Sequence, residues 1–532
     1  MATTASPLKP YIRERAGRRI RPLSLAFMVA YSVATGAGVA LLPAELLFIL
    51  AVPILIAVPV ILWLMPDGDF IPEATVATLL ISFIVANAFW PNYLSIDLPG
   101  LPWINPARVV VFGLLAIVLY SFSSSSRMRS ETAASLAALP WVRNAFWLFL
   151  LMTFVTLPLS NQPVFSLNKW ANNQIFWTFM FVLSAWLATR DGTITRIARV
   201  VVFTAIVVAL ETIYEFSIRQ VPWMNHIPSF LRVDEAYLIN VLKSQARAGT
   251  EIYRARGTFS VSLICAEYLA ITYPFIIHAL LTARTNFARI ALFLGLVAVL
   301  AAIWFTNARS GMIGFFMSVF LYGGFAALRY WRRNRQSLVG ATTLAMMPVL
   351  AAVFLVLALT WPRLHNMTIG GAQHQPSSEA RSAQWSMGMP KVWKNPIGHG
   401  TARAGNTLSY ANRGGQLTID TYYLTLLLEY GVVGFAAFLA MFGGQAFYGI
   451  RLYFAASAGE EDFAGPITIA LLNFLVIKSV LSSEFNMPLA FIFLGMLTAI
   501  AWRQQQRLRG VVPVRPAGAR NAELRGGALA PA

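Results

Sequence analysis

The chain has 532 residues, 57% hydrophobic and only 12% charged, where soluble domains carry about a quarter of their residues charged. That balance excludes a string of soluble domains and points to one large helical membrane domain. The formal charge of +19 is read as basic loops flanking membrane spans, plus an anionic partner at the active surface, rather than as nucleic-acid binding.

In chain order, the basic N-terminus (Lys9, Arg13, Arg15, Arg18, Arg19, Arg21) runs into a long apolar stretch with no clear small-residue cleavage site, so residues 1–23 read as a cytoplasmic anchor. Fourteen apolar runs follow, near 24–42, 46–65, 73–90, 107–123, 144–160, 170–188, 199–217, 263–283, 290–306, 311–328, 341–361, 431–450, 465–483 and 487–502. Pro43 and Glu45 barely separate the first two, which as one broken hairpin leave twelve crossings. The expected fold is an all-α polytopic membrane protein of about 12–14 transmembrane helices over residues 24–502. The tail, 503–532, is rich in Pro, Gly, Ala and Arg and reads as a disordered cytoplasmic segment. Clusters such as Arg329, Arg332, Arg333 and Arg335 place both termini in the cytoplasm. Two long loops, 218–262 and 362–430, then lie on the opposite face. The single cysteine, Cys265, excludes an intramolecular disulfide, and His226, His278, His365, His374 and His399 show no metal-ligand spacing. An Asp-x-Asp pair, Asp67-Gly68-Asp69, reads as an ordinary cytoplasmic turn.

The two long loops depart from the positive-inside pattern. Residues 218–256 hold six basic against three acidic side chains, and residues 362–417 hold six against Glu379 alone. Such loops form either a solvated face attracted to anionic lipid or an outer site for an anionic substrate, for which arginine's bidentate contacts to phosphate are suited. Arg309, in Thr306-Asn307-Ala308-Arg309-Ser310-Gly311, sits between two apolar runs, as a functional group or a snorkelling anchor.

Three stretches resemble the O-antigen ligase and polysaccharide polymerase superfamily (Wzy-type polymerases and WaaL-type ligases). Arg256-Gly257-Thr258-Phe259, followed by a span containing Tyr273-Pro274, resembles the arginine motif of its earlier outer loop. Thr306–Gly311 resembles its Arg-Ser-Gly turn. Trp393-Lys394-Asn395-Pro396-Ile397-Gly398-His399-Gly400 and Ile419-Asp420-Thr421-Tyr422-Tyr423-Leu424, continuing to Glu429-Tyr430-Gly431, resemble two elements of its large loop. The resemblance covers about 200–500. It implies a GT-C-like glycosyltransferase of the bacterial inner membrane, acting without a metal or other cofactor on undecaprenyl-diphosphate-linked glycan donors and acceptors at the periplasmic face, alongside other polysaccharide assembly proteins. It further implies that Arg256, Arg309, Arg403 and Arg254 hold the diphosphate. The ligase branch carries a histidine where this chain has Asp420, which favours an inverting polymerase over a ligase. A transporter or flippase is a third reading, but the ionisable residues gather at the outer edge rather than mid-membrane.

Attack on the anomeric carbon builds charge on the departing diphosphate, which arginines stabilise, and the acceptor hydroxyl needs a base. Asp420 is the first candidate base, or else an N-cap. His399 and Glu429 are the others: His399 sits in a glycine-flanked turn, and Glu429 has a packing role near Arg413 or Arg403 as its alternative. Glu267 is expected to pair with an arginine such as Arg256, and Lys478 and Glu484 to sit at the interface.

Overall fold

The computed structural model describes Gly68 and residues 71–510, apart from 98–102, 232–240, 243–252, 363, 366–374, 412–414, 416 and 458. The expected anchor 1–23 and the first two expected spans, 24–42 and 46–65, lie outside the described residues. The chain divides into two compact units, residues 1–72 with 116–130, and residues 73–115 with 131–532. In the smaller unit the Gly68 amide donates to the Ser124 carbonyl at 2.7 Å. All that follows concerns the larger unit.

Its described residues are helical, with isolated β-bridges such as Ile96 to Ile104. Every expected span that falls on described residues coincides with a helix or a helix pair. These are α1 (Glu73–Phe89), α2 (Pro106–Ser124), α4 (Pro140–Val155), α5 (Pro163–Phe176) with α6 (Thr178–Leu187), α7 (Thr193–Ile218), α8 (Ser262–Thr282), α9 (Asn286–Phe305), α10 (Arg309–Arg333), α11 (Leu338–Thr360), α14 (Tyr422–Ala455), α15 (Ala464–Lys478) and α16 (Met487–Leu508). Between them lie α3 (Ser126–Ala137), α12 (Gln375–Lys394) and α13 (Ala404–Leu408). Among the described residues nine helices are long and apolar enough to cross a membrane, so the chain is a multi-pass membrane protein. α11 shows why composition alone decides this. It is apolar on all sides, yet Leu350, Val353 and Val356 are exposed, which only hydrocarbon tolerates. α8 and α16 are equally apolar but almost wholly buried, so they form the interior.

Four boundaries differ from expectation. The run 170–188 is two helices broken at Trp177, whose φ −112° and ψ −71° leave the helical region. The run at 431 is preceded by a further helical segment from Tyr422, with a non-helical break at Gly431 (φ 69°, ψ −173°). Within the expected loop 362–430 lies the 20-residue α12, whose Ser- and Gly-rich sequence carries no apolar stripe to betray it. Finally, α16 runs to Leu508, past residue 503, because Arg503 and Arg507 are held by Glu460 at 2.8 Å and Glu461 at 2.6 Å. Together with Arg190–Glu73 at 2.9 Å and Arg329–Asp462 at 2.5 Å, these pairs belt one end of the unit. The two long loops emerge at the other.

Candidate active site

At the loop end, five segments enclose a cavity of about 410 Å³. The lead into α8 supplies Arg254, the α9–α10 turn Asn307 and Arg309, α12 Ser378 and Arg381, the lead into α14 Ile419 and Asp420, and the α15–α16 connection Leu481 and Ser482.

The α9–α10 turn closes because Asn307 adopts φ +49°, a left-handed conformation that asparagine tolerates. Its amide caps α9 on the Trp304 carbonyl at 3.1 Å, and Arg309 opens α10. A Cβ on Gly311 would stand 2.9 Å from that of Ala266, and one on Gly314 2.7 Å from that of Ala270. The small residues let α10 lie directly on α8, which fixes where Arg309 emerges.

The charged groups are then set by local bonds. Arg254 Nε donates to the Thr306 carbonyl at 3.1 Å. Arg309 Nη2 lies 3.5 Å from Ser378 Oγ, and Arg381 Nε donates to the Ser377 carbonyl at 2.9 Å. Buried Gln384 orients Asp420: its Oε1 accepts the Asp420 amide at 2.9 Å and its Nε2 approaches the carboxylate at 3.4 Å. Burial pushes the Asp420 carboxyl up from its ordinary value, against Arg381 and Gln384, which hold it down. Burial likewise pushes Arg381 down, against Asp420; an arginine so placed stays charged. The helix boundary falls at Thr421, with no side-chain capping bond, so Asp420 is not an N-cap. It is an oriented carboxylate beside guanidinium groups.

The Trp393–Gly400 motif does a different job. Gly398 (φ +114°) and Gly400 (φ +93°) fold it into a turn against the break at Gly431. The His399 amide donates to the Leu428 carbonyl at 2.9 Å, the Gly400 amide to Glu429 at 3.1 Å, and the Val432 amide to Pro396 at 2.9 Å. The turn thus satisfies backbone groups that the broken helix leaves open. The His399 ring Nδ1 also sits 2.9 Å from the Leu428 carbonyl. Glu429 is buried and accepts the Ala404 amide at 3.2 Å. Buried Arg403 donates to Gln162 at 2.8 Å, tying the motif to the α4–α5 connection. His399, Glu429 and Arg403 do not line the cationic cavity; Arg413 lies outside the described residues.

Arg256 is also apart. It is 2% exposed, and its guanidinium donates to the carbonyls of Val241, of Ser260 at 3.4 Å and of Leu242 at 3.3 Å, with Glu215 at 4.0 Å. Glu215 in turn accepts the amides of Arg256 at 2.9 Å and Gly257 at 2.6 Å. The Arg-Gly-Thr-Phe motif thus locks a loop to α7, and Arg254, two residues earlier, is the arginine that reaches the cavity.

Two further expectations are corrected. Glu267 pairs not with Arg256 but with Lys478, at 2.8 Å, both side chains fully buried. Lys478 is therefore no interfacial residue: it also donates to the Ser483 carbonyl. With Asn486, which donates to Glu267 at 2.8 Å and to the Ile264 carbonyl at 3.1 Å, it pins the α15–α16 connection to α8. Glu484 is half-buried and faces a second cavity. Sequence reasoning counted Arg381 only as loop charge. The signal that could have found it is its four-residue spacing from Asp420's partner side of α12, visible only once residues 375–394 are seen as helix.

Among the described residues no three His, Cys, Asp or Glu side chains converge as a metal site would need. Residues 268–439 match the family model described as O-antigen ligase. This stretch takes in Arg309, Arg381, the glycine turn and Asp420, and supports the expected O-antigen ligase and polysaccharide polymerase superfamily. It suggests an enzyme of glycosyltransferase type. No curated protein matches the chain.

Proposed function

We propose, from the O-antigen ligase domain at residues 268–439 and the cavity it helps to build, that this chain is an inner-membrane glycosyltransferase that polymerises undecaprenyl-diphosphate-linked oligosaccharide repeats. The observation that carries this reading is the meeting of Arg254, Arg309 and Arg381 with Asp420 around one cavity. The arginines bind the donor's diphosphate. The acceptor hydroxyl attacks the anomeric carbon as the bond from that carbon to the diphosphate oxygen breaks, and the bonding pair leaves with the diphosphate. Guanidinium groups stabilise that charge as it forms, each donor contributing about 2.7–4 kcal/mol by comparison with oxyanion sites. Asp420 takes the hydroxyl proton, and its raised pKa makes it a stronger base than an exposed aspartate. A single displacement inverts the anomeric centre. The cationic charge takes the place of a divalent ion, so turnover is expected to survive excess chelator. The loop end then faces the periplasm and the ion-paired end the cytoplasm.

The family model's description favours a second reading, transfer of a finished glycan to lipid A-core. Product analysis separates the two. Reconstituted full-length protein given lipid-linked repeats yields a ladder of longer lipid-linked chains if it polymerises, and glycan on added lipid A-core if it ligates. No transfer in either reaction overturns the glycosyltransferase reading.

A further inference from the structure

A second cavity, about 590 Å³, opens beside the first and has a different chemistry. Its polar wall is mostly carboxamide: Asn87 from α1, Asn92 after it, and Asn172 and Asn173 from α5. Its apolar wall is indole, from Trp90, Trp103 and Trp177. Carboxamides are neutral and offer donor and acceptor together, which matches the hydroxyls of a sugar. Indole faces are flat, apolar and rigid, which matches the C–H faces of a sugar ring. Its volume falls within the range of about 300–1,000 Å³ usual for small-ligand sites.

The wall is preformed. The Trp90 indole donates to the Leu94 carbonyl at 2.6 Å, and Arg108 holds the Trp103 carbonyl at 2.6 Å. Asn92 Oδ1 is buried without a hydrogen-bond partner among the described residues, an acceptor that an incoming hydroxyl satisfies.

The two cavities share a thin partition. Ser482 faces the cationic cavity and Ser483 the second; likewise Leu263 faces the first and Ile264 the second. The buried Lys478–Glu267 pair at 2.8 Å holds this partition in place. Glu484 stands on its far side with Lys169.

We infer that the second cavity is a binding subsite for the neutral saccharide portion of a glycan substrate, adjacent to the diphosphate site. The inference deepens the glycosyltransferase reading and rests on it for the adjacent diphosphate, while the sugar-binding chemistry stands on the cavity alone.

The test uses full-length protein in nanodiscs and two probes. One is the cell's own repeat glycan, released from its lipid by mild acid and so lacking diphosphate. The other is undecaprenyl diphosphate without sugar. The wild-type protein binds both. Asn172→Leu and Trp103→Ala weaken the free glycan at least about tenfold, the loss of one to two hydrogen bonds or a stacking face, and leave undecaprenyl diphosphate binding unchanged, which also shows that they fold. Arg309→Ala does the converse. Undecaprenyl diphosphate bound with no binding of free glycan, or glycan binding indifferent to both cavity variants, overturns the subsite. Glycan binding without undecaprenyl diphosphate binding overturns the diphosphate site and leaves the saccharide subsite standing.

Discussion

The Val432 amide donates to the Pro396 carbonyl at 2.9 Å, joining two sequence motifs that otherwise look like separate catalytic signatures. At the seam the chains come so close that a Cβ on Gly431 would stand 2.1 Å from the Pro396 carbonyl oxygen, and one on Gly398 2.3 Å from that of Glu429. The motifs are two halves of one backbone lock that sets how the segment from Asp420 enters α14.

Gly431→Ala tests the lock. The backbone at φ 69°, ψ −173° is a conformation open almost only to glycine, and strain of this kind costs about 1–3 kcal/mol before the clash is added. The melting temperature of the purified protein is expected to fall by several degrees. An unchanged melt would mean that α14 can straighten without the turn.

The buried pair Lys478–Glu267 predicts an asymmetric cycle. Lys478→Met strands a carboxylate in the core, at a cost of about 3–5 kcal/mol. Adding Glu267→Gln removes the charge and restores much of the loss, because Asn486 still has an oxygen to which it can donate. If the double variant is as unstable as the sum of the singles, the two groups are not coupled.

Arg381, Asp420 and Arg256 separate function from folding. Arg381→Ala and Asp420→Asn are expected to melt like the wild type and to lose about 10²–10³ in transfer rate, with Arg381→Lys recovering only part, since a point charge lacks the planar fork. Arg256→Ala, which strips donors from buried carbonyls, is expected to lower the melt and membrane yield instead. Full stability in Arg256→Ala with loss of transfer would return that arginine to the site.

These assignments show what was legible in the sequence. The described spans follow from apolar runs that only a bilayer accommodates. Arg309 and Asp420 were legible because each is a charge at the edge of such a run, and Arg254 through its place in a basic loop. Arg381 and Gln384 were not, because α12 is amphipathic too weakly to announce a helix. Glu267 and Lys478 were each visible as costly charges, but their partnership joins residues far apart in sequence, which no local pattern encodes. The saccharide cavity was hidden for the same reason: its asparagines and tryptophans come from four segments, and each alone is an ordinary interfacial residue.

Glu484 predicts a pH dependence of stability. Burial pushes its carboxyl up to about 7, against the charges of Lys478 and Lys169, which lower it; Glu429 is the acidic group coupled to it. A folded-state value above the unfolded one means that the folded protein holds the proton more tightly. The stabilisation is complete below the ordinary value of 4.5 and is lost as pH rises through about 7. Between these limits the wild-type melt should fall with pH more steeply than that of Glu484→Gln. Parallel curves would show that Glu484 titrates as an exposed acid.

The central claim is that Arg254, Arg309 and Arg381 form one diphosphate site. Its most direct measurement is equilibrium binding of undecaprenyl diphosphate, beside undecaprenol as the uncharged control, to the purified protein and its Arg309→Ala, Arg381→Ala and doubly substituted forms. The account predicts that each single substitution weakens the diphosphate about tenfold or more, that the double substitution is less than multiplicative because both act on one group, and that undecaprenol binding is unchanged. Diphosphate binding that survives the double substitution, or that falls in step with undecaprenol, would contradict it.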